Sequence, residues 1–297
     1  MKAVRFLTHG KVNLFLRVMG RRADGFHEIE TILQVIDLAD EFEIVPTSSG
    51  RTEIVMTVKE GVSGDIPLLE DNLVSRAAGS LVRSGAANAG LKVTLKKGVP
   101  IGAGLGGGSG NAAGALVVLN DMWRTGLDKS KLIELAAELG SDVPYCIEGG
   151  TALATARGEK LTSLPSPGKL WFVLGLSAEP LSTAKVYDAW DSLDQASGIG
   201  SASMTMAIGA GDVDEIAACL HNDLEEAAYS LRPELRDLKQ AMVGAGALGA
   251  CMSGSGPTIV GLAASREDAH AIAARVAGDF DQTKVVSSRS DCIVRLD

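Results

Sequence analysis

The residues best suited to chemistry fall into four short segments. The most distinctive is Gly98-Val99-Pro100-Ile101-Gly102-Ala103-Gly104-Leu105-Gly106-Gly107-Gly108-Ser109-Gly110, seven glycines in thirteen residues. Glycine lets the backbone take positive φ and come close to a ligand, and a helix that starts after such a run offers unpaired N–H groups and a positive dipole end to an anion. The segment is therefore suited to cradling phosphate. A merely flexible loop is disfavoured, because ordering so many glycines costs entropy that a ligand or close backbone contact must offset. Gly102, Gly104 and Gly107 also satisfy the dinucleotide pattern G-x-G-x-x-G, but the strand before them is amphipathic and Pro100 intervenes, so that reading is set lower. No Gly-Lys-Ser/Thr closes the run, which excludes a Walker A loop.

The other three segments are Gly10-Lys11-Val12-Asn13-Leu14 with the turn Arg21-Arg22-Ala23-Asp24-Gly25-Phe26-His27, then Gly140-Ser141-Asp142-Val143-Pro144, then Met252-Ser253-Gly254-Ser255-Gly256-Pro257-Thr258. Taken singly, each has an ordinary explanation: a solvated strand lysine, a turn histidine, a loop aspartate before proline, a tight turn into a strand. Their occurrence in this order in one chain is a much more specific signal.

The elements that must position these residues are legible in outline. Val12, Leu14 and Leu16 alternate with Lys11, Asn13 and Arg17, with Phe15 as the exception, so a strand here puts Lys11 and Asn13 on one face. Further strands are expected at Phe42 to Val45, Thr52 to Val58 and Leu91 to Leu95, the last half-solvated and antiparallel in character. A helix is predicted from Leu73 towards Gly85, a nearly all-apolar and hence buried one from Asn111 to Trp123, and a third from Lys129 to Leu139 between an Asp128 N-cap and Gly140. The turn-rich run Thr162 to Gly168 is the expected domain boundary, giving domains at 1–162 and 163–297. Beyond it come a buried strand at Leu170 to Leu176, helices near Ala184 to Leu193, Val213 to Leu220 and Pro233 to Val243, a strand at Thr258 to Leu262, a helix at Glu267 to Ala277 and a last strand near Asp291 to Arg295. Strands mixed with helices without strict alternation indicate an α+β fold.

Composition bounds the function. The 297 residues, 46% hydrophobic with 35 Gly and 9 Pro, are those of a globular protein and not of a collagen, coiled coil or disordered chain. A net charge of -9 leaves no basic field for nucleic acid, so any anionic ligand must be held locally. Cys146, Cys219, Cys251 and Cys292 form no C-x-x-C pair and read as small buried apolar residues of a reducing compartment. The most apolar short run, Leu170 to Leu176, is far shorter than the roughly 20 residues of a membrane span. With no signal-like N-terminus, a soluble cytoplasmic protein is expected.

Pro100-x-Gly102-x-Gly104-Leu105-Gly106-Gly107-Gly108-Ser109 resembles the central motif of the GHMP small-molecule kinases. With the Lys-x-Asn-Leu strand, the Arg-x-Asp-Gly-Phe-His turn, the Asp-Val-Pro segment and Asn222-Asp223-Leu224-Glu225, the whole chain is similar to the branch of that family in the non-mevalonate isoprenoid pathway, whose alcohol substrate carries a cytidine diphosphate. The resemblance implies a two-domain fold, an N-terminal domain with the phosphate loop and a C-terminal ferredoxin-like domain, and transfer of a phosphoryl group from ATP to the substrate's C2 hydroxyl. It implies Lys11 and Asp142 as the catalytic pair. Pro100, Gly102, Gly104, Leu105, Gly106, Gly107, Gly108 and Ser109 would hold the ATP phosphates, Ser109 also Mg²⁺, with Asn72 and Lys97 near the adenine. Asn13, His27, Phe26 and Tyr187 would meet the substrate, His27 at the cytosine edge and the two rings stacking on the base. Phe26 stands for the family's usual Tyr, Gly110 for a second Ser, Ser141 for Ala and Gly10 for Ala. Other members of the superfamily, acting on homoserine or mevalonate, and a non-catalytic nucleotide-binding relative are the alternatives. The Gly25-Phe26-His27 turn argues against the first, and intact Lys11 and Asp142 against the second.

Overall fold

The computed structural model describes residues 2–47, 52–59, 72–85, 90–193 and 198–296. Two long strands, β1 (Val4–Arg21) and β2 (His27–Thr47), form the central hairpin, followed by β3 (Thr52–Val58), α1 (Leu73–Arg83) and β4 (Gly90–Lys97). Then come α2 (Gly107–Met122), α3 (Lys129–Leu139), α4 (Val143–Glu148), β5 (Thr151–Ala156) and β6 (Lys160–Leu164). The second half contains β7 (Trp171–Leu176), α5 (Thr183–Leu193), α6 (Ala202–Ala210), α7 (Val213–Ala218), β8 (His221–Asn222), α8 (Glu225–Leu231) and α9 (Glu234–Gly244). It closes with β9 (Gly249–Met252), β10 (Ile259–Ala263), α10 (Arg266–Arg275), β11 (Gln282–Ser287) and β12 (Ile293–Leu296).

The first sheet runs β12-β1-β2-β4-β3, with β5 on the outer part of β2, β6 on β5, and β8 parallel to β1. Its helix-covered face is built from Phe6, Leu33, Val35, Phe42 and Ile44 against α1, α2, α3 and α4. Its other face carries Val12, Leu14, Ile32 and Ile36, which pack on Phe172, Leu174, Val260 and Leu262 of the second sheet. That sheet has the order β11-β7-β10-β9 and is antiparallel throughout. Numbered along the chain, its strands lie 4-1-3-2, with helices between the first and second and between the third and fourth, which is the ferredoxin-like arrangement. The apolar run of β7 follows from this place: Phe172, Leu174 and Leu176 face the first sheet while Val173 faces the helix layer behind.

Several expectations change in detail. The buried helix α2 starts at Gly107, not Asn111, so the last glycines of the run are its first turn. Burial of Gly107 and Gly110 stabilises the helix there despite glycine's low helix propensity, while Gly108 is exposed. β4 is antiparallel to β2 but parallel to the edge strand β3, because the connection from β3 to β4 is a crossover that carries α1. Thr162 to Leu164 are not boundary turn but the end of β6, paired with Leu153 to Thr151, and the irregular segment starts at Pro165. Phe15, the exception to the alternation, lies at a register shift of the β1–β2 ladder and is buried. The extra residue of a bulge lets neighbouring side chains share a face. Helix α3 keeps its predicted ends: Asp128 Oδ1 accepts from Lys131 N at 2.9 Å, and Gly140 follows Leu139.

Candidate active site

The glycine segment is anchored from below by a residue that no motif marks. Asp40 of β2, 0% exposed, pairs with the ammonium of Lys97, and its Oδ1 accepts the N–H groups of Gly98 at 2.7 Å and Val99 at 2.8 Å. One carboxylate thus compensates a buried charge and fixes the first two amides of the loop. Burial pushes the Lys97 pKa down, and the adjacent Asp40 charge opposes that shift.

Above this pair the chain passes through positive φ at Gly102, Gly104 and Gly106. Close approach explains the glycines as well. A Cβ at Gly104 would lie 2.2 Å from the Ser253 carbonyl oxygen, and one at Gly106 would lie 2.8 Å from Lys11 Cγ. Other contacts tie the loop into the core: Lys11 N donates to Leu105 O at 2.9 Å, Ser253 Oγ to Gly104 O at 3.0 Å and Thr258 Oγ1 to Ala103 O at 2.7 Å. The first intrahelical bond of α2 runs from Gly110 N to Gly106 O, so the N–H groups of Gly107, Gly108 and Ser109 precede it at the helix mouth.

Two clefts meet on this loop. The smaller, about 340 Å³, is lined by Met56, Asn72, Lys97, Pro100, Leu105, Gly107, Gly108 and Asn111. The larger, about 810 Å³, is lined by Lys11, Asn13, Phe26, His27, Asp142 and Tyr187. Gly102, Gly104, Gly106 and Ser109 belong to both. Every expected ATP-binding residue therefore lies on the smaller cleft and every expected substrate or catalytic residue on the larger. Asn72 has a local task as well: its Oδ1 caps α1 by accepting from Val74 N at 2.9 Å.

Lys11 and Asp142 face each other where the clefts join, with Nζ 3.3 Å from Oδ2. The lysine side chain is 5% exposed and the aspartate 32%, so the ammonium is sequestered while the carboxylate opens to the cleft. Asp142 stands at the start of α4 but its side chain makes no capping bond, which leaves it free to turn towards Lys11. Lys11 Nζ also donates to Asn13 Oδ1 at 2.6 Å, Asn13 Nδ2 to Thr31 Oγ1 at 2.9 Å, and Thr31 Oγ1 to Phe15 O at 2.6 Å. This chain of bonds fixes the amide of Asn13 and, through it, the lysine. Asn222 braces the opposite wall, its Nδ2 donating to Met252 O at 2.6 Å and Gly254 O at 2.8 Å.

The far end of the larger cleft is aromatic. Tyr187 stacks on the His27 imidazole with centroids 4.6 Å apart, and Trp190 meets the same ring edge-on at 5.8 Å. His27 Nε2 lies 2.7 Å from Asp191 Oδ1. Phe26 is 51% exposed, with the Arg157 guanidinium over its ring at 4.8 Å. Burial raises the Tyr187 phenol pKa, with the Asp142 charge a smaller cause in the same direction. Asp40, Thr31, Asp191, Trp190 and Arg157 were not anticipated, because their partners lie far away in sequence. The cysteines are free, with Cys146, Cys251 and Cys292 buried and Cys219 half-buried. Among the described residues no helix is long and apolar enough to cross a membrane.

A glycine loop opening a buried helix, a Lys–Asp pair beside it and a ferredoxin-like second sheet define the class of the GHMP kinases. Residues 72–150 match the family model described as GHMP kinases N terminal domain, and residues 204–282 that described as GHMP kinases C terminal. A curated protein of Pelotomaculum thermopropionicum named 4-diphosphocytidyl-2-C-methyl-D-erythritol kinase is 45% identical over 91% of this chain and 92% of its own. One of the same name from Alkaliphilus metalliredigens is 37% identical over 98% of both. A crystal structure of 4-(cytidine 5'-diphospho)-2C-methyl-D-erythritol kinase superposes with a TM-score of 0.80 at 32% identity, covering 96% of this chain and 98% of that one. The homoserine kinase of Cytophaga hutchinsonii, at 20% identity and a TM-score of 0.78 over 100% of this chain and 98% of that one, shares the fold. The chain belongs to the 4-diphosphocytidyl-2-C-methyl-D-erythritol kinase family of GHMP kinases.

Proposed function

We propose that this protein transfers the γ-phosphoryl group of ATP to the C2 hydroxyl of 4-diphosphocytidyl-2-C-methyl-D-erythritol. The observation that carries the reading is the Lys11–Asp142 pair at the junction of two clefts that share one glycine wall. Phosphoryl transfer asks a protein mainly to align the acceptor with the γ-phosphate and to stabilise the charge on the transferring group. Nucleotide in the smaller cleft places its phosphates over the Gly107, Gly108 and Ser109 amides. The alcohol in the larger cleft reaches Asp142, which orients the hydroxyl and takes its proton as the oxygen bonds to phosphorus. Lys11 offsets negative charge at the reacting oxygens and at Asp142. A weak carboxylate base suffices, because a loose transition state needs the proton removed only late.

Among the described residues no three His, Cys, Asp or Glu side chains gather to hold a metal. Mg²⁺ carried in on the nucleotide's own phosphates would take the Ser109 hydroxyl, on the wall of both clefts, as a protein ligand. Bound there, Mg²⁺ supplies charge neutralisation to the phosphates. In the larger cleft Phe26 and Tyr187 offer ring faces to the cytosine and His27 a ring edge, with Asn13 near the alcohol.

The test is an ADP-release assay with the cytidine diphosphate methylerythritol, homoserine and mevalonate offered side by side. Turnover is expected with the first alone, and preference for either of the others overturns the assignment. The base platform has its own check. Phe26→Ala should raise the substrate KM by about 5- to 150-fold, the equivalent of ~1–3 kcal/mol for a lost base–aromatic stack, and leave the ATP KM unchanged. An unaltered substrate KM would remove Phe26 from the pocket.

A further inference from the structure

The larger cleft contains a cation with unused donors. Lys11 is committed to Asp142 and Asn13, and Arg21 lies 3.4 Å from Asp191 on a side chain 60% exposed. Arg157 differs. It sits in the turn between β5 and β6, its Nε is 3.7 Å from Glu159 Oε1, and among the described residues neither Nη group donates a hydrogen bond. Its side chain is 27% exposed and lines the cleft, with the guanidinium over the Phe26 ring.

The turn is built to hold this side chain in place. Ala156 has φ +63, a left-handed conformation that is costly for a residue with a Cβ, and Gly158 has φ +108. Glu159 Oε2 accepts the Arg157 backbone N–H at 2.8 Å, and Gly158 N donates to Thr155 O at 3.0 Å. Glu159 thus holds the backbone and stands near Nε, while the ring of Phe26 supports the guanidinium plane. The two Nη groups remain as a fork, the geometry that pairs with phosphate oxygens. The nearby Asp24 carboxylate does not occupy it, since Asp24 accepts from Arg22 Nε and from Phe26 N.

We propose that Arg157 is a specificity-determining residue that binds the diphosphate linking the cytidine to the alcohol. The inference rests on the cytidine diphosphate reading of this cleft. It assigns the base to the aromatic walls and the diphosphate charge to a guanidinium standing on one of them.

The experiment compares two competitive inhibitors at saturating ATP, CDP and cytidine, in the wild-type protein and in Arg157→Ala and Arg157→Lys, with melting temperature as the folding control. In the wild type both inhibit, and CDP binds more tightly; failure of both would overturn the reading of the cleft itself. Given wild-type inhibition, Arg157→Ala is expected to weaken CDP by about 10- to 100-fold, the range of a hydrogen bond to a charged group, and to leave cytidine unchanged. The lysine variant should recover part of the CDP affinity. Equal weakening of both inhibitors would make Arg157 a prop for Phe26, and no weakening of either would leave it no part in binding. Each of those results overturns the proposal.

Discussion

Asp142→Asn is expected to lower turnover by about 10²- to 10⁴-fold, the span usual for a positioned acid–base group, while ATP affinity stays close to its original value. The asymmetry follows from placement. Asp142 lines the larger cleft, and the smaller one, with the amides at the mouth of α2, does not include it. The amide of asparagine keeps the shape and can still meet Lys11, but it accepts no proton and its NH₂ presents donors to an ammonium and a hydroxyl that both need acceptors. Rapid-mix turnover with calorimetric ATP binding checks both halves. Unchanged turnover would remove Asp142 from the chemistry, and a large loss of ATP binding would move it to the nucleotide site.

The second large effect is on stability. Asp40→Ala should lower the unfolding free energy by about 3–5 kcal/mol, the cost of breaking a buried pair and leaving one charge behind. Lys97 would be left 3% exposed without its counter-charge, and the N–H groups of Gly98 and Val99 would lose their acceptor. Because those amides begin the phosphate loop, the ATP KM should rise as well. Urea unfolding of Asp40→Ala and of Asp40→Ala/Lys97→Met tests the cause. The double variant removes the orphaned ammonium and should be more stable than the single one; if it is less stable, the pair is not what the loss reports.

These two residues differ in how much of them a sequence can reveal. Strand alternation puts Lys11 and Asn13 on one face, whereas Asp142 alone reads as a loop aspartate and is paired with Lys11 only through the resemblance of its Asp-Val-Pro segment to the family motif. Helix α3 is legible because cap, periodicity and terminal glycine are all local. Asp40 is not: it is one acid in the 21-residue strand β2, and its partner is 57 positions away. Arg157, Asp191 and Thr31 gain meaning only when a turn, a helix and a second strand converge. Local propensity also misplaces the start of α2, since a glycine-rich first turn looks like loop until burial is known. α6 and α8 escaped because the first has little apolar periodicity and the second spans only seven residues behind the Asn-Asp-Leu-Glu run.

The strand that bears Lys11 has neighbours of very different sequence age. On one side it pairs with β2, which follows it directly in the chain; on the other it pairs with residues 221–222 and 293–296. The ribbon that bears Lys11 is thus bordered on that side by strands that come some two hundred residues or more later in the sequence. Until β12 is in place, the backbone groups of β1 that bond to it lack that partner, and an open strand margin is the kind to which other chains adhere.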